Sequence, residues 1–227
     1  MNITYIELPA RDLVAQREFY SQVLELPVEL SAKRLEVQAG KTTLAFTQAE
    51  ADFDGAYHFA FNIPENQFHT AKAWMSERLP LLRNESGQDE YDFTNWHAHA
   101  FYFRDAAGNI LEFIARHDLQ NAADGQFDSQ QILQVSEIGL PAEDVIAFAN
   151  QLCSQLGLQL FRTSQPDKGF TPIGDDHGLF ILPAVGRLWL PTHNPGIPAK
   201  LLPVRVKVHN NGTDWEVRGV PYEIRTG

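Results

Sequence analysis

Cysteine is nearly absent: the 227-residue chain has one, Cys153. One thiol forms no intrachain disulfide, and without a CxxC pair there is no zinc-knuckle or dithiol redox signature. Cys153 falls at a position in a helix-spaced stretch that suits packing, not nucleophilic attack. Basic residues are also scarce. Eighteen Lys and Arg against 29 Asp and Glu give a formal charge of -11, a field that repels phosphate backbones. The strongest basic feature, Arg205 and Lys207, is a pair on one strand face, so no nucleic-acid partner is expected. No stretch approaches the roughly 20 apolar residues of a membrane span, and MNITYIELPARD at the start lacks a basic n-region and an apolar core, so no membrane partner and no signal peptide are expected. The reducing cytoplasm is the expected compartment. P-loop, GxGxxG and GxSxG signatures are missing too.

What the chain does have is a repeated element pattern. Residues 2–8 (NITYIEL) read as a strand, Asp12 as an N-cap, and 13–24 as a helix with Leu13, Phe19, Val23 and Leu24 on one face. RLEVQ (34–38) and KTTLAFT (41–47) form a hairpin around Ala39-Gly40, with an extra strand near Val28–Leu30. The order then restarts: YHFAFNI (57–63) as strand, 67–79 as helix through Phe68, Ala71, Met75 and Leu79, a polar loop at 83–92, and strands at 97–103 and 109–115. Residues 117–131 are polar and aperiodic, as in a linker. A third start follows. ITYIELPARDLVAQ (3–16) aligns without a gap with VSEIGLPAEDVIAF (135–148), so that Ile6, Leu8, Pro9, Ala10, Asp12 and Ala15 recur as Ile138, Leu140, Pro141, Ala142, Asp144 and Ala147. That spacing is too long for a solenoid and suits duplicated modules. The tail holds a Pro-rich loop (191–200) and strands at 203–208, 213–217 and 221–224 without a helix between them.

The fold class expected is therefore α+β, with repeated βαβββ modules: 1–52 and 56–118 as a paired domain 1–118, a linker at 119–131, and 132–227 as a third module whose C-terminal strands form a truncated fourth module or complete the third module's sheet.

FYFRDAAGNILEF (101–113), an FRD-x-x-GN-x-x-EF hairpin closing a βαβββ module, resembles the vicinal oxygen chelate superfamily of glyoxalase I, bleomycin-resistance proteins and extradiol dioxygenases. The resemblance covers 1–117 well and 132–183 fairly. It implies two paired modules whose curled sheets enclose a pocket, and in the metal-dependent members one divalent ion, commonly Fe, Mn, Zn or Ni, that a substrate chelates through two neighbouring oxygens.

Glu112 matches the family's carboxylate ligand on the closing strand. Alternation turns Leu111 and Phe113 away from it, into the core. His58, seven residues before Glu65, sits where the family places a histidine ligand. Tyr5 stands in the same register, seven residues before Asp12, where a metal-binding member has histidine. A phenol is a poor ligand because it ionises only near pH 10. Glu7, on the same strand face, is the expected substitute. The metal set expected is thus His58, Glu112 and Glu7, with the alternative that no metal binds. Glu137 repeats the Tyr5 register in the third module, which is expected to be structural. His97 and His99 share a strand face and are assigned to the substrate pocket with Tyr5 and Phe101; H-x-H is also a plausible metal clip. Tyr102, three residues before Asp105, matches a substrate-bonding tyrosine of some extradiol dioxygenases and is the candidate catalytic residue. The catalytic histidine of those enzymes falls near Phe93, which transfers no proton and argues against ring cleavage. Trp74 and Trp96 are expected in the core or in the pocket wall, the core being preferred.

Two functions stay open: a metal-dependent lyase, isomerase or dioxygenase acting on a small vicinal-oxygen substrate, or a metal-free protein that sequesters a small planar molecule. Homodimerisation is compatible with either.

Overall fold

The computed structural model describes residues 1–191 and 196–227. The Pro-rich loop expected at 191–200 includes 192–195, which lie outside the described residues.

The first module comprises β1 (Asn2–Ala10), α1 (Leu13–Glu18, continued by a wider turn over Phe19–Val23), β2 (Val28–Leu30), β3 (Arg34–Ala39) and β4 (Thr42–Gln48). The second comprises β5 (His58–Ile63), α2 (Phe68–Ser76), β6 (Tyr91–Phe93), β7 (Ala98–Arg104) and β8 (Ile110–Arg116). The third has β9 (Gln134–Gly139), α3 (Val145–Leu156), β10 (Phe170–Asp175) and β11 (Gly178–Pro183), and the tail adds β12 (Val204–Asn210), β13 (Thr213–Gly219) and β14 (Glu223–Thr226). The two aspartates of the repeated motif are helix caps. Asp12 accepts from the Ala15 amide at 2.9 Å and Asp144 from the Ala147 amide at 3.0 Å, which satisfies an amide with no partner inside the helix.

Each module folds its last strand back parallel to its first: β1 on β4, β5 on β8, β9 on β11. Modules then join through their first strands. The order is β14-β13-β12-β1-β4-β3-β2 in one seven-stranded sheet and β10-β11-β9-β5-β8-β7-β6 in the other. The strand pairing therefore differs from the expected one. Module one pairs with the tail, and module two pairs antiparallel with module three through β5 and β9. β1 and β5 each offer an open hydrogen-bonding edge, and β12 and β9 occupy those edges. The linker is docked, not free; Asn121 accepts from the Glu65 amide at 2.9 Å, and the Ala123 carbonyl accepts from Gln67 at 2.8 Å.

One hydrophobic core runs between the backs of the sheets and under the helices, with Ile6, Leu8, Phe46, Phe59, Phe61, Phe113, Ile138 and Phe180 fully buried. Cys153 packs at its margin as a free thiol. No helix among the described residues is long and apolar enough to cross a membrane.

The β7–β8 turn is built around Asp105. Its carboxylate accepts from the Ala107 and Asn109 amides at 3.0 and 2.9 Å, from Asn109 Nδ2 at 2.8 Å, and from Gln16 and Tyr20 of the first module. Gly108 adopts φ +83° with open space around it, so the backbone conformation, not crowding, calls for glycine.

Candidate metal centre

In β5, β8 and β9 every residue is buried on both faces of the sheet. Phe59, Phe61, Leu111 and Phe113 point to the core, so the alternate positions His58, Asn62, Glu112, Arg116 and Glu137 fall on the concave face. Register fixes their neighbours. Tyr102 lies directly across from Glu112, and Ala60 lies between Glu112 on one side and Glu137 on the other. Alanine at that central position leaves room above it.

His58, Glu112 and Glu137 fill that room. One donor atom from each lies within 4.8 Å of the others, and all three residues are buried. His58 Nδ1 donates to the Ile110 carbonyl at 3.1 Å, so Nε2 carries the lone pair and faces Glu112 Oε2 at 3.6 Å. Burial pushes the His58 pKa down to about 4, so the ring is neutral at physiological pH and this contact is no ion pair. Burial drives the Glu112 carboxyl well above the usual carboxylate range; the charge of Glu137 adds to this, while Arg116 and the Tyr102 hydroxyl, which donates to it, pull back. Burial also raises Glu137, against the pull of Arg116.

Arg116 is fully buried beneath the cluster. Its Nη2 donates to Glu137, its Nε donates to Asn62 Oδ1 at 3.2 Å, and its guanidinium carbon lies 6.0 and 5.5 Å from the centroids of the Trp96 and Phe161 rings. Two carboxylates thus face one fixed cation and one neutral imidazole. A lone pair and two carboxyl groups converge from three strands with one buried guanidinium between them, a donor set that fits a divalent cation, which would take the place of the carboxyl proton.

The cluster floors a cavity of about 450 Å³, walled by Phe93, Trp96, Tyr102, Phe170, Ile181 and Trp189, with Arg187 at its side. Trp189 packs against His58 with ring centroids 5.0 Å apart and planes tilted by 40°. Gly139 permits this, because a Cβ there would meet the Trp189 ring at 2.5 Å.

Glu7 and Tyr5, assigned from sequence to this site, lie instead in the other sheet. There Arg34 donates to both and Tyr5 donates to Glu7. Burial alone would raise the Glu7 pKa, but the bonds from Tyr5 and Arg34 outweigh it and hold the carboxylate low. Phe101 pairs across from Phe113 and points into the core. His99 pairs across from Ala115, on the face opposite Glu112, and His97 is exposed beside Asp118 at 2.7 Å. None of Tyr5, His97, His99 or Phe101 lines the cavity. Trp96 takes the second of its two expected places, the cavity wall. The third module, expected to be structural, supplies Glu137. Its register, seven residues before Asp144 as His58 is seven before Glu65, was the available signal. Arg116 and Trp189 carried none.

No family model matches the chain, and no curated protein matches it. Solved structures do. A "putative dioxygenase" from Bacillus subtilis subsp. subtilis str. 168 superimposes with a TM-score of 0.60 at 17% identity over 81% of this chain. The chain spans only 63% of that protein's length. A glyoxalase I variant from Zea mays superimposes with a TM-score of 0.55 at 13% identity, over 95% of this chain and 87% of its own. The fold is that of the vicinal oxygen chelate proteins. At these identities the likeness concerns the backbone fold alone, here a modular α+β architecture with two curled sheets.

Proposed function

We propose that this vicinal-oxygen-chelate-fold chain is a divalent-metal-dependent enzyme acting on a small substrate that presents two neighbouring oxygens. The observation that carries the reading is the convergence of His58, Glu112 and Glu137 at the floor of an aromatic cavity. Three protein donors leave coordination positions for a chelating substrate. When bound, the metal would polarise those two oxygens as a Lewis acid.

The chain's own residues set the conditions. Ile110 fixes the His58 tautomer through its carbonyl. Arg116 holds Glu137 and reduces the charge of the donor set. Burial places the Tyr102 pKa well above 10, with Glu112 and Glu137 adding to the rise, so Tyr102 acts as a hydrogen-bond donor toward Glu112 and not as a base. Phe93, Trp96 and Trp189 exclude water and offer stacking faces to a planar substrate. A cytoplasmic setting and a small-molecule partner belong to the same proposal.

Manganese(II) titrated into chelator-stripped protein and followed by electron paramagnetic resonance tests it. Wild type is expected to take up one equivalent at this centre, and His58→Ala to lose it while keeping a native circular dichroism spectrum. Equal uptake by both proteins would sink the assignment. One observation favours the metal-free alternative: Glu137 already has a counter-ion in Arg116. That reading requires tight binding of a planar compound that EDTA leaves untouched.

A further inference from the structure

Behind the metal centre, on the opposite face of the same sheet, four of the chain's eight histidines crowd one corner. The alternation that turns Tyr102, Glu112 and Arg116 toward the cavity turns His99 and His117 to the back. β7 and β8 still bind each other there, with the His117 amide donating to the His97 carbonyl at 2.9 Å. His99 Nδ1 and His117 Nε2 are hydrogen-bonded to each other at 2.8 Å, and the two rings meet edge to face at 5.0 Å. The other nitrogen of His117, Nδ1, faces Glu65 Oε2 at 3.6 Å. His69, in the first turn of α2, lines the same hollow of about 310 Å³ together with Glu65, His99 and His117. His97 is not part of it; its ring is held outward by Asp118, and its backbone takes the left-handed conformation at φ +46°.

We propose that His69, His99 and His117 form a second metal site, selective for a borderline transition ion such as Zn(II), distinct from the His58 centre and independent of it. The Glu65 carboxylate, 3.6 Å from His117 Nδ1, favours the tautomer protonated there and leaves His117 Nε2 as the acceptor of the His99 Nδ1 proton. The metal takes the place of that proton, which moves to His99 Nε2, and a carboxylate behind a ligating imidazole is the arrangement that orients it. His99 rises from rigid strand β7 and His117 directly follows β8, so two donors are pre-placed. His69 is exposed and completes the set by a side-chain rotation, a fast and inexpensive motion. Open water positions fill the remaining coordination sites. Imidazole-rich donors suit zinc, copper and nickel, whereas the carboxylate-rich His58 centre suits manganese and iron, so the two sites separate by ion.

The probe is Zn(II), titrated against a chromogenic chelator into metal-stripped protein. Glu112→Gln removes the first centre and isolates the second. In that background one zinc equivalent is expected; His117→Gln should abolish it, His69→Gln should weaken it at least tenfold, and Glu65→Gln should weaken it about tenfold through the lost orientation of His117. His117→Gln in the otherwise native chain should leave manganese uptake at His58 unchanged. Because His117 is partly exposed, its variant tests binding without unfolding the chain, and circular dichroism checks this. Zinc uptake unaffected by His117→Gln, or no zinc uptake when Glu112→Gln is present, overturns the proposal, and indifference to His69→Gln overturns the three-imidazole assignment. Failure of the manganese experiment alone leaves this site standing.

Discussion

At the scale of single residues, the molecule places two carboxylates where water does not reach them. Glu112 is the more costly, because the imidazole beside it is neutral and its hydroxyl partner Tyr102 offers one hydrogen bond. Its folded-state pKa is raised above the unfolded value near 4.5, so the fold favours the protonated form. Stability from this group is present in full below pH 4.5 and is lost as pH climbs through the folded value. Gln is isosteric with the protonated acid and escapes that loss. In EDTA, Glu112→Gln should match wild type at pH 4 and exceed it at pH 8 by roughly 1–3 kcal/mol, the range for relieving a badly solvated buried group. Thermal melts at the two pH values check this. The order should reverse when manganese is added, since only wild type gains binding energy. A variant less stable than wild type at pH 8 without metal would show that Glu112 is well compensated. From sequence, His58 and Glu112 stood out because they match the ligand positions of the family the hairpin resembles, and for Glu112 the flanking Leu111 and Phe113 also dictate its face. Tyr5 pointed the other way. It was the wrong residue for a metal because its strand belongs to the other sheet, where Arg34 and Glu7 occupy the equivalent ground.

At the scale of elements, the turn between β7 and β8 does more than reverse the chain. Asp105 gathers donors from its own turn and from Gln16 and Tyr20, so the first module's helix is tied to the second module's hairpin through one buried carboxylate. Asp105→Ala strands several of these donors at once. Each buried donor left unmet costs about 1–3 kcal/mol, and the loss should reach at least ~3 kcal/mol in urea denaturation. A loss below 1 kcal/mol would mean that water replaces the carboxylate without penalty. The turn itself was legible, since Asp, Gly108 and Asn109 are turn residues with a local mechanism. Its attachment to Gln16 and Tyr20 was not, because a contact across 89 residues leaves no periodic trace in either segment. Trp189 escaped for the same reason. It sits in an irregular stretch, and only Gly139, whose missing Cβ makes room for the indole, hints that something large lies over β9.

At the scale of the whole chain, the repeat was readable and the pairing was not. Local pattern specifies a module, but it does not say which open edge meets which. The observed answer places module two against module three and module one against the tail, and function depends on that choice because His58 and Glu112 come from one module and Glu137 from the next. It follows that residues 1–118 are not a self-sufficient unit. Cutting there removes β9 from β5 and β12 from β1, leaving two long central strands with unpaired edges, and it takes Glu137 away from Arg116, which is fully buried. Unpaired strand edges template aggregation, and a buried charge stripped of its partner costs about 3–5 kcal/mol, a large part of a typical domain's stability. The fragment 1–118 expressed alone should therefore aggregate or lack a cooperative melt, whereas the intact chain should unfold in a single transition seen alike by circular dichroism and tryptophan fluorescence. Co-expression with 119–227 should restore a soluble complex that regains manganese uptake, because the second fragment returns β9, β12 and Glu137 together. A monomeric 1–118 fragment with dispersed amide resonances would instead show that the first two modules can find one another once their present partners are gone.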